Sequence, residues 1–122
     1  MQYIILLAYF MAVVANAIGD AMNDSSRKKL GHLLNSISIG VLLLVPFIMD
    51  NPTLWLVAIY VLLRMSIFDV SYNLARGLKW YYVGKSSWWD DIFRKAPPSM
   101  MVFMRMVLLS AAIGICINYN AL

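Results

Sequence analysis

Charged residues are scarce in this sequence. Only 13% of its 122 residues are charged, whereas 62% are hydrophobic. Soluble domains are about 25% charged and about 45–50% apolar. Too few polar side chains remain to cover the surface of a soluble domain. The composition therefore predicts a single domain that is surrounded for most of its length by lipid.

Cysteine and histidine each occur once, and the common catalytic motifs are absent. One cysteine, Cys116, excludes an intramolecular disulfide, and its apolar neighbours predict that it packs as a small apolar side chain. Neither a nucleophile elbow nor a glycine-rich phosphate loop is present. The candidate ligands for a metal inside or beside the spans are Asp20, Asp24, His32 and Asp69. Their spacing matches no metal-binding motif, so we predict no metal and no cofactor.

Four long apolar segments dominate what is present. They cover residues 3–19, 32–49, 54–76 and 100–117. A transmembrane helix needs about 20 predominantly apolar residues, with a range of about 17–25. Because the first segment has no positively charged residues before it, we interpret it as a retained helix and not as a cleaved signal. The sequence predicts an all-α fold of four transmembrane helices.

An aromatic segment precedes the fourth span. Tryptophan and tyrosine favour the headgroup level of a bilayer, where a ring is partly apolar and partly wet. The tryptophans expected to act as interfacial anchors are Trp80, Trp88 and Trp89. Acidic residues follow Ser87, and basic residues precede Pro97, which is the charge order that a helix dipole favours. We predict a short interfacial amphipathic helix over residues 87–95.

Most of the basic residues lie between spans and give the chain a predicted orientation. The connection between spans one and two contains Arg27, Lys28 and Lys29, and that between spans three and four contains Lys79, Lys85, Arg94 and Lys95. Cytoplasmic loops of membrane proteins carry an excess of lysine and arginine. Both connections are therefore predicted to be cytoplasmic, with both termini on the other side of an inner or plasma membrane. The net charge of +4 is accounted for in this way, and we predict no nucleic-acid partner.

Polar side chains recur at helical spacing near the cytoplasmic ends of three spans. They are Asn16, Asp20 and Asp24 on span one, His32 and Asn35 on span two, and Asp69, Asn73 and Arg76 on span three. Residues three or four apart share a helix face, so these groups would meet if the faces pack inward. Two interpretations remain open: bonds that hold the bundle together, or a proton path or headgroup-level active site.

Two arginines lie inside the spans. Arg64 is near the middle of span three, where a charge costs from about 2.5 to more than 10 kcal/mol according to the reference used. We predict that its partner is Asp69 or Asp20, from a neighbouring span or subunit, or the carbonyls of a helix. Arg105 lies nearer the cytoplasmic side of span four, and we expect its long side chain to extend to the interface.

Small residues predict two close-packing faces. Ala15 and Gly19 on span one, and Ser110 and Gly114 on span four, are each four residues apart, a spacing that lets membrane helices approach closely.

Three functional hypotheses follow from these features. The first is a small, non-enzymatic integral membrane subunit that assembles with itself as a homo-oligomer or with a larger membrane complex. The second is an oligomeric ion or proton channel that uses Arg64 and Asp69. The third is a membrane enzyme acting on lipid headgroups through Asp20, Asp24, His32 and Asp69.

Overall fold

All regular structure in the described part of the chain is α-helical. The computed structural model describes residues 2–48, 54–83 and 88–118, with the backbone alone for residues 88–90. Its helices are α1 (Gln2–Asp24), α2 (Lys28–Ile48), α3 (Leu54–Ala75), α4 (Trp88–Arg94) and α5 (Pro98–Ile117). Helices α1, α2, α3 and α5 are each long and apolar enough to cross a membrane. The predicted all-α fold with four span-length helices is confirmed.

Helices α1 and α2 continue past the apolar runs from which the spans were predicted. Helix α1 ends at Asp24 and not near Gly19, and α2 begins at Lys28 and not near His32. The additional turn of α1 carries Asp20 and Asp24, which contact α2 and α3, and the additional turn of α2 carries Gly31, which packs on α1. The predicted end of span two at residue 49 and the predicted start of the interfacial helix at residue 87 lie outside the described residues.

Helices α1 and α3 end in the same type of backbone turn. The amide of Arg27 donates to the Met22 carbonyl at 2.9 Å, and the amide of Leu78 donates to the Asn73 carbonyl at 2.8 Å. This bond, spanning five residues, is characteristic of the Schellman motif, which places one residue in the left-handed region. That residue is Ser26 (φ 72°) after α1 and Gly77 (φ 69°) after α3. The two turns lie at the same end of the bundle.

Helix α1 occupies the centre of the bundle. It packs against α2, α3 and α5, whereas α2 packs chiefly on α1 and α5 chiefly on α3. Helices α1 and α3 run parallel: two hydrogen bonds between them, Arg64 to Asn16 and Tyr72 to Asp24, each join residues 48 apart. Helices α2 and α5 run in the opposite direction. Their outer faces carry many of the exposed large apolar side chains.

The contact between α1 and α2 is close enough to require glycine. A Cβ atom on Gly31 would lie 2.6 Å from the Gly19 carbonyl oxygen, and one on Gly19 would lie 2.9 Å from the Gly31 carbonyl oxygen. Ser38 adds a hydrogen bond from its hydroxyl to the Ala12 carbonyl at 2.7 Å. The predicted close approach at Gly19 is thus present. The one predicted at Gly114 is not seen among the described residues, none of which, apart from the helix's own backbone, comes within 4 Å of a Cβ placed there.

The apolar core fills the end of the bundle opposite the two Schellman turns. Tyr9 on α1 packs edge-on against Tyr60 on α3, with ring centroids 5.9 Å apart. The Cys116 thiol is buried and donates to the Gln2 carbonyl at 3.0 Å, which ties α5 to the start of α1. The buried residues of this core are Ile5, Tyr9, Val13, Val45, Leu56, Ile59, Leu63, Ala112 and Cys116. The polar contacts between helices lie in the other half of the bundle, toward the two Schellman turns.

Candidate functional site

A chain of hydrogen bonds connects the Arg64 guanidinium with the Asp20 carboxylate. Arg64 Nη1 donates to Asn16 Oδ1 at 2.5 Å, and Asn16 Nδ2 donates to Asn35 Oδ1 at 3.1 Å. Asn35 Nδ2 then donates to Asp20 Oδ1 at 2.8 Å. Each amide accepts on the side of the cation and donates on the side of the anion. Both amide dipoles therefore stabilise the two charges at the ends of the chain.

This chain changes the predicted partner of Arg64. The expectation was a carboxylate from Asp69 or Asp20, supplied by another span or subunit, or the carbonyls of a helix. Asp20 of the same protein is the acid that the network reaches, through two amides and without direct contact. Asp69 belongs to a different contact, between α3 and α5. A single copy of the protein therefore provides hydrogen-bond partners for an arginine in the middle of a helix.

A ladder of side chains at intervals of four residues runs along α3 from Arg64 to Arg76. The Arg64 guanidinium carbon lies 4.1 Å from the centroid of the Phe68 ring, and Phe68 stacks on Tyr72 with centroids 6.4 Å apart. The Tyr72 hydroxyl donates to Asp24 Oδ2 at 2.5 Å, and Arg76 Nη1 lies 3.8 Å from the same oxygen. The ladder provides a cation–π contact for the buried end and an ion pair for the wet end.

The Arg105 side chain turns into the bundle, whereas the sequence predicts that it extends outward to the membrane interface. Only 9% of the residue is exposed. Its Nη1 donates to the Ser66 carbonyl at 3.1 Å and to the Met65 carbonyl at 3.4 Å, and its Nη2 lies 3.4 Å from Asp69 Oδ2. The α3 backbone thus supplies acceptors to Arg105 inside the bundle. Its Nε has no acceptor among the described residues.

Asn73 holds the segment that follows α3. The residue is buried, and its Nδ2 donates to the Trp80 carbonyl at 3.1 Å and to the Tyr82 carbonyl at 2.7 Å. Trp80 itself is partly exposed and meets the edge of Tyr81, with centroids 5.3 Å apart. The side chains of the other two predicted anchors, Trp88 and Trp89, lie outside the described part of the chain.

The predicted polar residues are divided among several contacts. Arg64, Asn35 and Asp20 share the hydrogen-bond chain, Asp69 pairs with Arg105, Asp24 joins Tyr72 and Arg76, and Asn73 binds backbone carbonyls. His32 is exposed on α2 and is no part of these groups. Within the described residues, no three His, Cys, Asp or Glu side chains are placed to hold one metal ion.

A cavity of about 330 Å³ lies between α3, α4, α5 and the segment after α3. Its charged lining consists of Arg76, Arg105 and Asp69, so positive charge is in excess. The remaining lining residues are Phe68, Tyr72, Asn73, Leu78, Tyr82, Val83 and Phe93. Arg105 approaches the Phe93 ring to 6.0 Å, which places α4 against this cavity.

The sequence indicates only part of these networks. Asn16 is predicted as one of the polar side chains on α1, but not as the direct partner of Arg64. The contacts of Phe68 and Tyr72 are not predicted, because an aromatic residue in an apolar span resembles a lipid-facing side chain. A usable signal existed: Asn16, Asp20 and Asp24 recur every four residues on α1, as Arg64, Phe68, Tyr72 and Arg76 do on α3.

Comparison with known proteins brings no relative: no protein family, no curated protein and no solved structure matches the chain. Its function is therefore argued from this geometry.

Proposed function

We propose that the chain is an integral membrane protein with four transmembrane helices and both termini on the non-cytoplasmic side of an inner or plasma membrane. The position of its basic residues supports this orientation. The Asp24 contacts with Tyr72 and Arg76 put the turn after α1 beside the end of α3. Basic residues of both connections therefore collect at one end of the bundle, which is the arrangement expected of a cytoplasmic face.

The exposed surface of the four long helices supports lipid as their surroundings. Large apolar side chains lie exposed along all four, among them Leu7, Leu43, Val57 and Phe103. A water-soluble protein rarely exposes contiguous apolar patches of more than a few hundred Å². In a bilayer the same side chains carry no penalty, because lipid tails are as apolar as leucine.

We further propose that the protein is a non-catalytic membrane subunit that acts by assembly with its own copies or with a larger complex. The observation that carries this proposal is that the ionisable groups inside α1, α3 and α5 bind partners of the same chain. The carboxylates that the enzyme hypothesis needs are divided among different contacts: Asp20 with Asn35, Asp24 with Tyr72, and Asp69 with Arg105. Such pairing suits a rigid scaffold better than a shared acid–base site.

The channel hypothesis gains no support from the position of its two residues. Arg64 points to α1 through Asn16, whereas Asp69 contacts α5 through Arg105. They do not line one path. Amide side chains also lack the titratable group that a proton relay needs at each step.

Assembly is testable in a bilayer of defined composition. The protein is reconstituted into nanodiscs, and the number of chains per disc and any stoichiometric partner are determined by native mass spectrometry. We expect an assembly that replacing both Trp88 and Trp89 with alanine abolishes while all four spans stay inserted. Trp55→Ala is the matched control and should leave assembly intact, because Trp55 lies at the start of α3, at the other end of the bundle from α4. A protein that stays monomeric and conducts ions in liposomes would contradict the proposal in favour of the channel.

A further inference from the structure

The cavity beside α4 has the charge and position of a site for an anionic group. Two of its lining residues are arginines and one is an aspartate, giving an excess of one positive charge. The Asp69 side chain is 57% exposed, whereas that of Arg105 is 10% exposed. Water therefore screens the carboxylate more than the guanidinium, and the buried cation is incompletely neutralised.

Arg105 has hydrogen-bonding capacity that the chain itself leaves unused. Its three contacts are 3.1–3.4 Å long, near the upper limit for a hydrogen bond, and its buried Nε finds no acceptor in the described residues. A buried donor without an acceptor is costly, and a guanidinium carries five N–H donors in a fork that matches phosphate oxygens. Arg76, which lines the same cavity, offers a second guanidinium. Its own contact with Asp24 is 3.8 Å long.

An apolar groove shares Arg105 with this cavity. The groove measures about 290 Å³ and lies between α1, α3 and α5. Its apolar lining includes Phe10, Ile67, Val70, Val102, Met106 and Leu109. Arg105 thus lines both a polar, cationic compartment and an apolar one. This is the division of chemistry found in a phospholipid.

We propose that the cavity binds the phosphate of an anionic phospholipid through Arg76 and Arg105, with an acyl chain in the groove. Phosphate oxygens are the chemistry that a lipid headgroup shares with free phosphate, and the groove favours the lipid. The lipid as source depends on the proposed membrane location, whereas the cavity and its charges do not. Bound lipid would tie α4 and the segment after α3 to the bundle and so complete the cytoplasmic surface used in assembly.

The test measures ligand-dependent thermal unfolding of the full chain in a non-ionic detergent. The three probes are dioctanoyl phosphatidylglycerol, dioctanoyl phosphatidylcholine and inorganic phosphate. A ligand that binds only the folded state raises the midpoint with concentration, which yields an apparent Kd. We expect phosphatidylglycerol to bind at least about tenfold more tightly than either other probe, since it alone combines net negative charge with acyl chains.

Variants locate the site. Arg76→Gln should weaken phosphatidylglycerol binding about tenfold, the loss expected for one charge-assisted hydrogen bond. Arg27→Gln removes the same charge at the same end but outside the cavity, and it should leave binding unchanged. Val102→Trp fills the groove and should weaken binding of the lipid, whereas Val107→Trp, on α5 outside the groove, should not. Arg76 is chosen because Arg105 also holds α5 against α3.

Three outcomes would overturn the proposal. Equal losses for Arg76→Gln and Arg27→Gln would mean that the surface charge alone attracts lipid. Tight binding of inorganic phosphate that Val102→Trp leaves untouched would mean that no lipid is the ligand. Stabilisation by no probe would mean that there is no site. Extraction of the native membranes with alkaline carbonate tests the proposed membrane location separately. A protein that stays in the membrane during extraction but is stabilised by no lipid contradicts the binding site and leaves the location standing.

Discussion

Gly19 on α1 and Gly31 on α2 lie so close that a methyl group on Gly31 would come within 2.6 Å of the Gly19 carbonyl oxygen. The same approach brings Asn35 of α2 against Gly19, which is where the amide joins the chain from Arg64 to Asp20. Close packing of two backbones and satisfaction of a buried charge thus depend on the same short stretch of helix.

The first prediction concerns this contact. Gly19→Ala would push a methyl group into the Asn35 side chain and the Gly31 carbonyl, so α1 and α2 must move apart. We expect a loss of about 1–3 kcal/mol in the free energy of unfolding, as for other overpacked sites. The measurement is equilibrium unfolding in mixed detergent micelles. Gly40→Ala on α2 is the matched control: nothing lies within 4 Å of its added methyl group, and stability should stay unchanged or rise by up to about 1 kcal/mol.

The second prediction concerns Asn73. Alanine at this position removes the donor that binds the Trp80 and Tyr82 carbonyls, so the segment after α3 should detach while the bundle stays folded. In nanodiscs, amide hydrogen exchange should accelerate in residues 78–83, with little change in α1 and α2. Ser36→Ala, which removes an exposed hydroxyl bond within α2, is the control. Acceleration throughout the bundle would show that Asn73 supports the whole fold and not this segment alone.

The four long helices were predictable because apolar length alone specifies them, and the close approach at Gly19 followed from the spacing of small residues. Gly114 has the same spacing from Ser110 but faces open space. Two small residues four positions apart permit a close helix contact. The contact forms only where a second helix lies against that face. Helix α5 uses Met101, Arg105, Ala112 and Cys116 for packing instead.

The polar site was predictable only as a list of residues. Helical spacing placed Asp20 and Asp24 on one face of α1, and Asp69 and Asn73 on one face of α3. It could not determine which face meets which helix, and Asp69 contacts Arg105 of α5 instead of α1. Since α1 and α3 run parallel at an offset of 48 residues, Asn16 meets Arg64. That offset is a tertiary property, and a single sequence carries no direct record of it.

The third prediction concerns orientation. Single cysteines are introduced by Asn51→Cys, Ser26→Cys and Ser86→Cys in a Cys116→Ser background, and intact cells are treated with a membrane-impermeant maleimide. We expect labelling at position 51 in intact cells and at positions 26 and 86 only after the membrane is opened. Positions 51 and 86 lie outside the described residues, so the experiment tests the charge distribution directly. The reverse pattern would refute the orientation inferred from lysine and arginine.

The last prediction concerns Arg64, which is half-buried near the middle of α3. Asn16→Leu removes the carboxamide oxygen to which Arg64 Nη1 donates and breaks the path to Asp20. A hydrogen bond to a charged group contributes about 1.5–3 kcal/mol, so we expect a loss of that size in the free energy of unfolding. Arg64→Met combined with Asn16→Leu should be less destabilised than Asn16→Leu alone, because no unpartnered cation remains.

A double-mutant cycle separates the two acids once proposed for Arg64. Arg64→Met and Asp20→Asn act at the two ends of one hydrogen-bond network, where coupling energies are about 0.5–3 kcal/mol. Arg64→Met and Asp69→Asn act on separate networks, so their effects should add to within about 0.5 kcal/mol. Equilibrium unfolding of the single and double variants in the same micelles supplies both cycles. Coupling to Asp69 without coupling to Asp20 would mean that Arg64 turns toward α5 and that the amide chain does not hold its charge.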